Sequence, residues 1–177
     1  MEFKIIKDSD SKEFKEAWEI YEYSFPSDEK RDLRLQSKIM KEELYHFYSV
    51  FEGRVLAAII ADWNLGDFLF IEYIAVRKDS RDKGIGTKML NEYLRKNRQK
   101  IVLEAELPKD KIAKKRIKFF RRIGFKLNRF EYTQPPYSKD KNPVPMLLMT
   151  YPDEVNKTEF CSLRKKIYAQ VYGQDVD

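Results

Sequence analysis

Apolar positions along the chain fall into two rhythms. Runs poor in charge, several of them alternating, predict strands near 2–6, 45–51, 54–63, 68–76, 101–107, 125–134 and 144–151. Between them the apolar residues recur at helical spacing. Phe14, Ala17, Trp18 and Tyr21 define a first helix, with Asp10 as its cap and Glu13 three residues on. Leu35 and Ile39 lie on one side of a second, charge-rich helix over about 28–44. Ile85, Met89, Leu90, Tyr93 and Leu94 line a third, which runs to Lys100. A fourth covers 111–123 and stops at Gly124. A fifth follows Asn156, with Phe160, Leu163, Ile167 and Val171 as its stripe and Gly173 at its end. The pattern predicts a mixed α/β (α+β) fold: a mostly antiparallel central sheet of about seven strands flanked by helices, with an extra C-terminal helix. It also predicts one domain over 1–151 and a helical extension, 152–177, packed on that domain.

Composition narrows the class. At 177 residues, 42% apolar and 14% aromatic, the chain can bury a sizeable core. No stretch approaches the ~18 uninterrupted apolar residues of a membrane span, and MEFKIIKDSD lacks the apolar region of a signal peptide. The single cysteine, Cys161, excludes an internal disulfide and fits a reducing cytoplasm. One histidine and one cysteine cannot supply a usual zinc site, so no metal is expected. The formal charge of +6, from 35 basic and 29 acidic residues, reads as a mixed solvated surface. No nucleic-acid motif accompanies it, so neither a nucleic-acid partner nor a membrane is expected.

Candidate chemistry is concentrated in FLFIEYIAVRKDSRDKGIGTKMLNEYL, Phe68 to Leu94. A buried strand, a polar turn with Gly84 and Gly86, and an amphipathic helix follow one another there. Such an arrangement presents backbone N–H groups and the positive end of a helix dipole, a ready anion site. The turn reads R-x-x-G-x-G. It is not a Rossmann fingerprint, because position 89 is Met89, and no Gly-Lys-Ser/Thr follows as a Walker A loop would require.

On these residues the chain resembles the GNAT superfamily of acyl-CoA-dependent N-acetyltransferases. Phe119-Phe120-Arg121-Arg122-Ile123-Gly124-Phe125 is similar to its second signature, a helix ending F-Y-x-x-x-G-F. The resemblance implies transfer of an acetyl group from acetyl-CoA, a cosubstrate, to a primary amine of a small molecule or peptide, by direct attack in a ternary complex. It implies a cofactor site made of Ile74, Ala75, Val76, Arg81, Asp82, Lys83, Gly84, Ile85, Gly86, Thr87 and Phe120. Main-chain groups of Ile74 and Val76 would pair with the pantetheine arm, and the amides of Arg81 to Thr87 would surround the pyrophosphate. Arg77, Lys78 and Lys88 would add positive charge there. The Ser24-Phe25-Pro26 connection would border the acceptor.

Acetyl transfer needs a deprotonated amine, and a lysine-type amine titrates near ~10.4. Glu72, alone among apolar neighbours on the predicted strand, is the first candidate base; its other reading is a carboxylate that pairs with an arginine or orders backbone. Glu104 and Glu106 rank second and would suit a cationic acceptor. The family's helix tyrosine, which protonates the leaving thiolate, is here Phe120, and its upstream asparagine is Ala113. A thiol titrates near ~8.5, so the thiolate leaves tolerably without that acid. Tyr137 is the candidate replacement, as acid or as substrate contact; Tyr132 is another. The two departures motivate an alternative, a non-catalytic acyl-CoA sensor of the same fold. Either reading fits a monomer or a homodimer.

Overall fold

The computed structural model describes residues 1–174. Its eight strands and five α-helices form a mixed, mostly antiparallel α/β fold, organised as two compact units. The first unit holds Met1–Asn64 and Ile71–Arg98; the second holds Leu65–Phe70 and the chain from Gln99 onward.

In the first unit β1 (Glu2–Ile5) pairs antiparallel with β2 (Tyr45–Glu52), which pairs antiparallel with β3 (Val55–Asn64). The β2–β3 turn passes through Gly53 at φ 61°. From Leu56 to Trp63 every residue of β3 is buried, the mark of a strand covered on both faces. The next strand, β4 (Phe68–Val76), begins in the second unit and ends in the first, where Ile71, Tyr73 and Ala75 are buried and alternate with half-buried residues. One covering layer is α1 (Lys12–Ser24), whose Phe14 and Tyr21 meet Phe47 edge-on. Its cap is Ser11 rather than Asp10: the Ser11 hydroxyl accepts the Phe14 N–H, while Asp8 takes the Asp10 N–H.

The predicted 28–44 helix is much shorter. A single 3₁₀ turn, Ser27–Glu29, precedes an extended Lys30, and α2 covers only Leu33–Ile39, capped by Asp32. The break has a cause inside the unit: Arg31 is buried, and its backbone N–H donates to the Tyr21 hydroxyl at 2.7 Å. Helix α3 (Ile85–Lys96) also ends early, where the Asn97 side chain bonds the Tyr93 carbonyl.

In the second unit β5 (Lys100–Glu106) starts directly after that stop. Helix α4 (Lys111–Ile123) has the predicted bounds. Asp110 caps it by accepting from Ile112 and Ala113, and Gly124 ends it at φ 118°. A Cβ there would sit 3.1 Å from the Tyr151 ring, so both conformation and space call for glycine.

The predicted 125–134 strand is two strands, β6 (Lys126–Leu127) and β7 (Tyr132–Gln134), which makes eight rather than about seven. Both pair antiparallel with β8 (Val144–Tyr151), as does β5. Asn128 explains the interruption. Its buried amide donates to Leu148 O and Thr150 Oγ1, and its oxygen accepts the Val155 N–H.

Asn156 caps α5 (Lys157–Tyr172), and Phe160, Leu163, Ile167 and Val171 are buried as their spacing predicts. Cys161 lies exposed on the same helix. The last three residues of the expected 152–177 extension lie outside the described ones. Among the described residues no helix is long and apolar enough to cross a membrane.

Candidate active site

The glycine turn between β4 and α3 begins with Lys78–Ser80 as a 3₁₀ turn. Tyr23 of α1 braces it: its hydroxyl accepts the Lys78 N–H at 3.2 Å, and the Lys78 ammonium lies 4.4 Å from the ring centre. Arg81 turns back, donating Nε–H to the Val76 carbonyl at 3.0 Å. Asp82 follows at φ 60°, then Gly84 at φ 76° as the cap of α3. A Cβ on Gly84 would meet nothing within 4 Å, so glycine is required there by backbone conformation, and the space beside it is open to an incoming group.

The first bond of α3 runs from Lys88 N–H to Gly84 O at 3.0 Å. The amides of Ile85, Gly86 and Thr87 precede it, in the place where helix N-termini hold anions. Arg81, Asp82, Lys83 and Gly84 are exposed, and Ile85, Gly86 and Thr87 half-buried. Lys88 is ion-paired to Glu52 at 2.7 Å and Arg77 to Asp79 at 3.1 Å. These pairings spend part of the positive charge expected at the turn.

Upstream on β4, Ile74 and Val76 are half-buried and Ala75 is buried. Glu72 is half-buried as a residue, yet its side chain is fully buried, so its exposed part is main chain.

The Glu72 carboxylate meets Arg31 Nη1 at 2.7 Å and accepts the Trp63 indole N–H at 3.0 Å. The Arg31 guanidinium lies 5.7 Å from the Trp63 ring centre and 5.9 Å from that of Tyr45. Tyr21, Tyr73 and Phe25 continue the aromatic wall, with ring centres 4.7–5.6 Å apart. Burial raises the pKa values of Tyr21 and Tyr45 far above the usual phenol range, so both stay neutral. Phe25 of the Ser24-Phe25-Pro26 connection thus packs on Tyr21 and on Tyr73 of β4. Arg31 was not singled out from the sequence; the only local trace is its position just ahead of the cap Asp32.

The remaining candidates belong to the second unit. Phe120 is buried, 5.3 Å from Phe119 and 5.8 Å from Phe125 between ring centres, as a core side chain. Glu106 pairs with Arg116. Glu104 accepts hydrogen bonds from the Tyr132 and Tyr172 hydroxyls, and the half-buried Tyr137 packs at a tilt against Tyr172. Tyr172, on α5, was also missed, because nothing local marks a helix as a supplier of hydroxyls to a distant strand.

The sequence profile of the acetyltransferase (GNAT) family matches residues 9–125, which include the glycine turn and the Phe120 helix. The chain belongs to the GNAT acetyltransferase family. Across the family it resembles a Bacteroides thetaiotaomicron protein named as a GNAT-family acetyltransferase, 30% identical, with 99% of this chain and all of that one aligned at a TM-score of 0.93. It is 31% identical over 106 residues to YjbC of Bacillus subtilis (strain 168), an acetyltransferase by name; that match covers 58% of this chain and spans about half (52%) of the relative. A GNAT-type fold is shared with a Bacillus subtilis acetyltransferase solved in complex with CoA, at 13% identity and a TM-score of 0.58 over 84% of this chain and 95% of that one.

Proposed function

We propose that this GNAT protein is an acyl-CoA N-acyltransferase that moves an acetyl group from acetyl-CoA to a primary amine by direct attack. One observation carries the reading: the left-handed Gly84 cap, with open space beside it and the amides of Ile85, Gly86 and Thr87 ahead of the first helical bond. A bulky anionic group can approach that backbone at a distance a side chain would forbid. Asp82 supports the turn's geometry, and Arg81 and Lys83 add charge at its rim.

The proposed chemistry follows from there. Main chain at Ile74, Ala75 and Val76 aligns the pantetheine arm along β4, and one N–H polarises the thioester carbonyl. The neutral amine attacks that carbon and the C–S bond breaks. The ammonium's first proton must leave before attack, and its second ends on the thiolate. Glu72 is the proposed base, its carboxylate held in place by Arg31 and the Trp63 indole N–H; its alternative role is to hold Arg31. Tyr137 is the proposed acid or acceptor contact. Phe120, a buried side chain with no hydroxyl, is the proposed cofactor contact from its helix.

The test is a melting-point titration with acetyl-CoA, paired with thiol release over a panel of amines. A ligand specific for the folded state stabilises by about 2.7 kcal/mol at 100 times its dissociation constant, which raises the melting point by a few degrees in a chain of this size. A shift together with amine-dependent thiol release is the expected result. No shift at millimolar acetyl-CoA would leave the turn purely structural. A shift without release would favour the sensor reading, which the absence of a phenol at Phe120 motivates.

A further inference from the structure

The net charge of +6 averages two unlike parts of the chain. Residues 109–129 hold 10 of the 35 basic residues and 1 of the 29 acidic ones, so the rest carries 25 basic against 28 acidic and is slightly negative. The positive excess is gathered on α4 and its flanks. Helix α4 itself has seven basic residues and no carboxylate. Its Ala113, Ile117 and Phe120 are buried. At ~3.6 residues per turn, Lys111, Lys115, Lys118 and Arg122 stack along the opposite side, with Lys114 and Arg121 beside them. All six of these cations are exposed.

What the stripe lacks is counter-charge. Elsewhere Lys30, Lys88, Lys100 and Lys166 each meet a carboxylate, and Arg116, the seventh cation of α4, pairs with Glu106. Among the described residues none of the six outer cations has an acidic partner. The Arg122 guanidinium lies 6.0 Å from the Phe119 ring centre, and the one acidic neighbour, Asp110, spends its carboxylate on the amides of Ile112 and Ala113. Like charges at such spacing repel, so an anion that spans them is favoured. The kind of anion follows from what accompanies the charge. The centre of a protein–protein interface is poor in lysine and rests on apolar and aromatic anchors, and here the one exposed large hydrophobic is Ile112. Nucleic acid is held instead by polar, strongly positive faces, and a duplex carries a negative charge every ~1.7 Å. The stacked cations rise by about 5 Å at each step, so each of them can meet a phosphate of its own. Backbone contacts of this kind need no base-reading motif, and none marks them in the sequence.

We propose that the outer stripe of α4 is a docking surface for the phosphate backbone of a nucleic-acid duplex, bound without regard to base sequence. The surface belongs to the second unit and does not rest on the acetyl-transfer reading.

The test is fluorescence anisotropy of the full chain with a labelled DNA duplex, and with an RNA duplex of the same sequence, over about 50 to 200 mM salt. The wild-type chain should bind at low salt, with log affinity falling against log salt by about 0.9 for each phosphate contacted on DNA. Binding confined to one of the duplexes keeps the proposal and names the backbone. Lys115→Gln with Lys118→Gln should weaken binding at least about tenfold and flatten the salt slope by about 2. Lys15→Gln with Lys41→Gln makes the same charge change on exposed residues of the first unit and should leave affinity and slope nearly as they were. Melting curves check that both double variants fold. Poly-glutamate, vesicles containing phosphatidylserine and saturating acetyl-CoA serve as competitors. No binding at the lowest salt, or equal losses in the two double variants, would overturn the proposal. So would displacement by poly-glutamate or the vesicles at equal charge, which would assign the stripe to an acidic protein or a lipid surface. Displacement by acetyl-CoA would place the stripe in the cofactor site and overturn it as well.

Discussion

Arg31 and Glu72 show what a single residue contributes here. The pair is buried, and each member is the other's counter-charge, 2.7 Å away. Removing one leaves a charge out of water with its partner gone, which costs about 3–5 kcal/mol in buried pairs. Arg31→Ala should therefore lose that much in urea unfolding, and Arg31→Met combined with Glu72→Gln should recover part of it. The Glu72→Gln single variant also separates the two readings of Glu72. If the carboxylate is the base, turnover falls at neutral pH and returns at higher pH; a flat ratio to wild type across pH assigns it to holding Arg31. Glu72 was legible in the sequence because a charge inside an apolar strand is conspicuous. Arg31 was not. It is one of 35 basic residues, and it turns inward because the fold brings Glu72, 41 residues away, within reach.

Elements were legible where their ends carry their own chemistry. Helix α4 keeps its predicted bounds because Asp110 and Gly124 fix both ends locally. Asp110→Ala should cost about 1 kcal/mol, the usual worth of such a cap, and denaturant melts will read it. The 28–44 segment was misjudged because its apolar stripe is thin and a tertiary bond, Arg31 N–H to Tyr21, decides its backbone. The 125–134 strand was read as continuous because Asn128 interrupts it through partners far along the chain. The glycine turn was the most legible part of the candidate site, since glycine spacing states a backbone requirement outright. The phenols around Glu104 were least legible, being assembled from β5, β7, the following loop and α5.

At the scale of the whole molecule, stability should respond to pH through its one histidine. His46 Nδ1 lies 2.8 Å from Asp62 Oδ1, and Tyr93 donates to the other oxygen of that buried carboxylate at 2.6 Å. The bond to Asp62 raises the His46 pKa above its ordinary 6.5, against a smaller opposing effect of burial. A group raised in the folded state contributes in full below its unfolded value and loses the contribution as pH climbs through the folded one. Melting temperature should accordingly fall as pH rises from about 6.5 through the next units. The same scan on His46→Gln should lack that component; an identical slope would assign the fall to other groups.

Asn128 has one more consequence. It takes the Val155 N–H on its side-chain oxygen while holding the β8 main chain with its nitrogen. Val155 sits in the link between β8 and α5, where amides ordinarily trade their hydrogens with water quickly. Its own amide is buried, and its acceptor is anchored to the sheet. Isotope exchange at Val155 is thereby tied to the opening of β8 rather than to the motions of the link, so a residue outside every regular element reports on the integrity of a strand.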